Sequence, residues 1–172
     1  MGRLPRISTD RLSLRPFTIM DIDRLHALWT QPDMRRFLWD DVIISRDRAA
    51  DEVERGLQNA GRHGIGYWVI ESQKENDLLD FCGFRLIDHE PEIELMYGLG
   101  RAYWGKGLTT EASRAALAWL WNSTGYSRVY EKRSCTSPYD SADCGYGTAD
   151  ISIPAAQRRQ NIPVLCRVCA SP

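Results

Sequence analysis

Nowhere in its 172 residues does the chain run apolar for the ~18 positions that a membrane-spanning helix needs. No apolar segment follows Met1 as it would in a secretory leader, so a cytoplasmic protein is expected and no membrane partner. An excess of one charge is missing too. Twenty-two Lys and Arg face 23 Asp and Glu, and a net charge of −1 argues against nucleic acid as a partner. Before residue 135 the only cysteine is Cys82, in a strand-like apolar segment where a buried thiol is expected. Two common phosphate loops are absent. Nothing fits G-x-x-x-x-G-K-[ST]. For G-x-G-x-x-G, the third glycine would fall on Tyr103 counting from Gly98, or on Thr110 counting from Gly105.

What is present reads as one domain of ordinary globular composition, 43% hydrophobic and 26% charged. Residues 11–17 alternate as a half-buried strand. Thr18 and Asp21 resemble a capping box, and Ile22, Leu25 and Trp29 mark a helix that Pro32 should end. Residues 34–44 are irregular and rich in large apolar groups. Ser45 can cap a second helix whose stripe is Ala49, Val53, Leu57 and Ala60, with Gly61 and Gly64 as its stop. Strands are expected at 67–71 and 78–87, joined as a hairpin, and at 92–99. An alanine-rich helix follows from about Leu108 to Trp121, and a last strand spans 126–132. The strand–helix–strand crossover should make those two strands parallel. His26, His63 and His89 read as loop or helix-surface residues.

The most informative stretch is Tyr103-Trp104-Gly105-Lys106-Gly107-Leu108-Thr109-Thr110-Glu111-Ala112, between a strand and a helix. The first N–H groups of a helix have no intrahelical acceptor, and its dipole adds positive charge, so such a turn favours an anion. Glycines at 105 and 107 let a phosphate approach the backbone. This run resembles motif A of the GNAT superfamily of acyl-CoA-dependent N-acetyltransferases, usually Q/R-x-x-G-x-G/A and here Ala102-Tyr103-Trp104-Gly105-Lys106-Gly107. The Leu-Thr-Thr-Glu-Ala that follows is similar to the branch that acetylates ribosomal-protein N-termini.

The resemblance covers residues 8–132 and implies an α+β fold, a mixed central sheet flanked by helices. It implies acetyl-CoA as co-substrate, an amine acceptor such as a protein N-terminus or a small amine, and no metal. The pantetheine is expected along Met96, Tyr97, Gly98 and Leu99, with the pyrophosphate at Ala102, Trp104, Gly105, Lys106, Gly107, Leu108 and Thr109. Residues 34–44 would border the acceptor; the alternative is a core-packing loop. Attack on the thioester is direct, with the Tyr97 N–H stabilising the oxyanion. A lysine amine, pKa about 10.4, is neutral in roughly one molecule in 2,500 at pH 7, and an α-amine, about 7.8, in roughly one in seven. A general base therefore matters most for lysine. Glu94 is the candidate, with a solvent-facing strand carboxylate as the alternative; Glu92 shares its face. Glu111 reads as a first-turn carboxylate favoured by the helix dipole. The family's thiolate-protonating Tyr has no counterpart, and Tyr130 and Tyr139 are weak substitutes.

Past Lys132 the resemblance stops. Residues 133–172 hold four of five cysteines, four of eight prolines and no lysine, with turn-and-loop composition. They read as an atypical tail in place of the family's last helix and hairpin, either out-of-frame or a divergent replacement. The same loss leaves open a catalytically impaired acyl-CoA-binding domain. Cys166-x-x-Cys169 could form a zinc site with Cys135 and Cys144, but the eight-residue gap of the latter pair is not the tight knuckle of structural sites, and disulfides are not expected in a reducing compartment.

Overall fold

A computed structural model describes residues 4–74, 77–87, 92–126, 128–132 and 148–152. The elements are β1 (Ile7–Ser8), β2 (Leu12–Pro16), α1 (Ile22–Trp29), α2 (Pro32–Leu38), α3 (Arg46–His63), β3 (Tyr67–Ser72), β4 (Leu78–Leu86), β5 (Ile93–Tyr97), α4 (Leu108–Ser123), β6 (Arg128–Lys132) and β7 (Thr148–Ser152). The strands form one seven-stranded sheet in chain order. All pairs are antiparallel except β5 and β6, which α4 connects as the expected parallel crossover.

Alternation along the strands builds a core on each face. Leu12, Leu14, Trp68, Ile70, Phe84, Ile93 and Leu95 pack with Ala112, Ala116, Leu117 and Leu120 of α4. Phe17, Tyr67, Val69 and Phe81 face Ile22, Leu25 and Trp29 of α1 and Ala49 and Val53 of α3. A sheet covered on both sides needs apolar residues at successive positions, which is why β3 reads Tyr-Trp-Val-Ile. Cys82 is buried as expected.

The caps follow the sequence. Asp21 accepts from the Thr18 N–H and hydroxyl, each at 2.8 Å. Ser45 accepts from the Arg48 N–H, and Gly64 ends α3 at φ 69°.

Three elements differ from the sequence reading. The two-residue β1 is additional. Pro32 opens a helix rather than only closing one: it occupies the first turn of α2, where its missing N–H costs nothing. The irregular stretch is thereby shortened to 39–44, where Asp40 and Asp41 take positive φ of 49° and 63°, a conformation Asp tolerates. In the tail, Thr148–Ser152 is strand, not loop, and pairs with β6 from Arg128↔Ser152 to Lys132↔Thr148. An open sheet edge offers unpaired backbone groups that recruit a short segment against its own weak propensity. The four tail cysteines, Tyr139 and His89 lie outside the described residues.

Candidate active site

The glycine turn sits where β5 runs out toward α4. Gly98 and Gly100 donate to the carbonyls of Phe81 and Leu79 on β4, at 2.9 and 3.3 Å. By alternation, the N–H groups of Tyr97 and Leu99 are directed to the opposite edge. On that edge the recorded register with β6 ends at Leu95↔Glu131. Met96 leans against the α1–α3 core and Tyr97 against the α4 core. Met96 to Leu99 thus form the strand end that leads into the glycine turn.

Arg101–Tyr103 then makes a single helical turn, and the chain bends through Gly105 (φ 72°) and Gly107 (φ 70°) into α4. Both glycines need this left-handed conformation, a stronger reason for glycine than small size. Gly107 is the N-cap, and Ala102, Trp104, Gly105, Lys106 and Gly107 are exposed, while Leu108 is buried and Thr109 half-buried. A side chain at Gly105 would meet nothing within 4 Å, so the space in front of the turn is open. The Trp104 indole donates to the Leu99 carbonyl at 2.5 Å, and the Lys106 ammonium lies 5.5 Å from the Tyr103 ring centre.

Residues a hundred positions upstream brace the turn, a contact that no local pattern announces. Glu111 accepts from the Thr9 hydroxyl at 2.6 Å and from the Arg11 N–H at 3.0 Å and Nε at 2.6 Å. Arg11 Nη1 donates to the Lys106 carbonyl at 2.8 Å. Burial works against the charge on Glu111, but the hydrogen bonds from Thr9 and Arg11 outweigh it and hold its pKa below the usual carboxylate range. A cleft of about 480 Å³ opens here, with Arg11, Gly107 and Arg114 in its wall. A larger one of about 690 Å³ lies elsewhere, against Arg15, Phe17, Leu57 and Tyr67, and touches none of the predicted site residues.

Glu94 is 5% exposed, so it does not face solvent. Arg85, opposite it on β4, donates to Oε2 at 2.8 Å through Nε and lies 2.7 Å away through Nη2. Glu92 accepts from the Tyr130 hydroxyl at 2.7 Å, a bond that raises the phenol's pKa and keeps its proton on. The stretch after α1 is partly core: Met34 is buried, while Phe37 meets Trp104 edge-on at 5.7 Å beside the glycine turn.

Known proteins resemble this chain in sequence and in fold. The family model of the acetyltransferase (GNAT) domain matches residues 11–134. The uncharacterized N-acetyltransferase p20 of Bacillus licheniformis is 28% identical over 129 residues, 72% of this chain and 70% of the relative. A GNAT-family acetyltransferase structure from Bordetella pertussis superposes with a TM-score of 0.67 at 23% identity, over 77% of this chain and 81% of that one. RimL, a ribosomal-protein α-N-acetyltransferase solved with coenzyme A, does so at 0.63 and 19%, over 74% of each chain. No described helix is long and apolar enough to cross a membrane. The chain belongs to the GNAT acetyltransferase family.

Proposed function

We propose that the protein transfers the acetyl group of acetyl-CoA to a primary amine, a protein N-terminus or a small amine, by direct attack. The observation that carries this reading is the exposed, left-handed glycine turn that caps α4 just past the end of β5. The turn and the first N–H groups of α4 fit a pyrophosphate. Arg11 and Arg114 add two cations along the adjoining cleft. Met96 to Leu99 offer an extended backbone to the amides of the pantetheine, and the Tyr97 N–H is the oxyanion donor in this reading. The coenzyme A complex of RimL supports the choice of cofactor.

On the α1–α3 face, Glu94 and Met96 line the approach of the acceptor. Glu94, the candidate base, has its Oε2 engaged by two nitrogens of Arg85. Its role here is to hold negative charge near the incoming ammonium. Tyr130 donates to Glu92 and keeps its proton, and in this reading it is a weak substitute for the family's thiolate-protonating Tyr.

Calorimetry with acetyl-CoA, then coenzyme A release against a panel of free N-terminal peptides and small amines, tests the proposal. Binding with amine-dependent release is expected. Failure to bind acetyl-CoA overturns it; binding with no release favours the impaired binding domain.

A further inference from the structure

Among the described residues three carboxylates are buried: Asp21, Asp80 and Glu94. Arg15 holds Asp21 at 2.8 and 3.0 Å, and Arg85 holds Glu94. Asp80 has no arginine. Its Oδ1 accepts from the Trp29 indole at 3.2 Å, and its Oδ2 has no hydrogen-bond partner. A buried oxygen left without a hydrogen bond is costly, so the position calls for an explanation.

Backbone geometry aims this side chain. The β3–β4 register passes from Ile70↔Asp80 to Glu71↔Leu78, leaving Leu79 as the extra residue of a β-bulge. In an unbroken strand Asp80 would share the α4 face of Ile70. Its neighbours are instead Trp29 of α1 and the end of β5, where a Cβ on Gly98 would stand 2.8 Å from Oδ2 and 3.0 Å from Met34 Cε. Bulges re-aim side chains in this way beside active sites. The absence of a side chain at Gly98 leaves Oδ2 against the backbone expected to carry the pantetheine.

Charged groups on the surrounding elements are engaged elsewhere or exposed. Asp33 pairs with Arg101, Arg35 with Asp41, Asp23 with Arg46 and Glu71 with Arg15. The His26 ring meets the Ile44 carbonyl, and Arg24 and Arg36 are exposed. Burial pushes the Asp80 carboxyl up to about 8; the Trp29 indole and the Phe81 N–H pull the other way without offsetting it. A base of that strength suits transfer near neutral pH.

We propose that Asp80 is a further acid–base residue of the acetyl-transfer site, its unpartnered Oδ2 turned by the β4 bulge onto Gly98 to take the proton that the acceptor ammonium must lose. The inference rests on the acetyl-transfer reading above. The carboxylate takes one proton from the ammonium, giving the acid and a neutral amine. The amine nitrogen bonds to the acetyl carbon as the carbon–sulfur bond breaks. Its second proton goes to the departing thiolate, and Asp80 returns the first to solvent.

The test is the pH profile of kcat for coenzyme A release, with acetyl-CoA saturating and the amine panel as acceptors. Wild-type protein should show a rising limb centred near 8. Asp80→Asn should lower kcat about tenfold or more at pH 8, remove that limb, and leave acetyl-CoA affinity unchanged. Trp29→Phe removes the donor to Oδ1, which favours the charged form, so its limb should move to higher pH. The acceptor's own ionisation is the same in all three proteins and cannot move the limb. An unchanged kcat and limb in Asp80→Asn, an unmoved limb in Trp29→Phe, or a wild-type protein that binds acetyl-CoA and releases nothing each overturns the proposal. If Asp80→Asn does not fold, as thermal unfolding would reveal, the Trp29→Phe limb decides. Absence of acetyl-CoA binding to wild-type protein identifies the other failure, that of the acetyl-transfer reading.

Discussion

At the scale of single residues, the glycine turn divides backbone strain from ligand contact. Gly107 sits at φ 70° with only Arg11 Nη2, 3.8 Å away, near the place of a Cβ. Gly107→Ala should therefore cost about 1 kcal/mol of stability through its dihedral alone. Acetyl-CoA affinity should fall more steeply if the methyl group meets the proposed phosphate site; paired thermal unfolding and calorimetry separate the two effects. Arg11→Ala should weaken acetyl-CoA binding several-fold while leaving the core unaffected, since the side chain is exposed and ties Glu111 to the Lys106 carbonyl. An unchanged dissociation constant would remove Arg11 from the site. The glycines and their flanks were legible because their spacing is local. Thr9 and Arg11 were not, because their partner Glu111 lies 102 and 100 residues away. Asp80 left one trace, a lone charge inside the apolar run Leu78–Phe84, but only the bulge and Gly98 give it a location.

At the scale of elements, periodicity and caps decided most of what could be read. α3 has both an N-cap serine and a left-handed C-cap glycine, and its limits follow from them. Ser45→Ala should cost about 1 kcal/mol, read from a denaturation midpoint, without changing acetyl-CoA affinity. Loss of binding in that variant would mean that α3 reaches the cofactor site. α2 escaped because a proline read as a terminator also serves as an initiator, and no cap signal distinguishes the two. β7 escaped because its pairing is supplied by β6 rather than by its own sequence. The partner of Glu94 escaped for a related reason: alternation places it with Glu92, but only the register puts Arg85 opposite it in a buried ion pair and removes the solvent-facing alternative.

At the scale of the whole molecule, buried acids shape the dependence of stability on pH. Asp80 has a folded-state pKa of about 8, above that of the unfolded chain, so the folded state holds its proton more tightly. Stability from this group is fully present below about pH 4 and is lost as pH rises from there toward 8. Asp21 and Glu111 act oppositely. Burial opposes their charge, but hydrogen bonds from Arg15 and Thr18, and from Thr9 and Arg11, win and lower both pKa values. Their contribution is present above about pH 4 and disappears as pH falls below it. The melting temperature should therefore peak in mildly acidic solution and decline toward pH 8, and Asp80→Asn should flatten the alkaline side only. A wild-type curve that rises from pH 5 to 8 would contradict the burial of Asp80 as a neutral acid.

The clamp from Thr9 and Arg11 to Glu111 also bears on the order in which the protein assembles. The contacts that brace the glycine turn join residues 102 positions apart, a non-local closure of the kind that slows folding. During synthesis the first strands emerge long before Glu111, so the turn cannot take its braced shape until α4 has left the ribosome and docked on the β1–β2 corner. Competence to bind the nucleotide end of its substrate is then a late acquisition, gained only once both ends of this clamp have met.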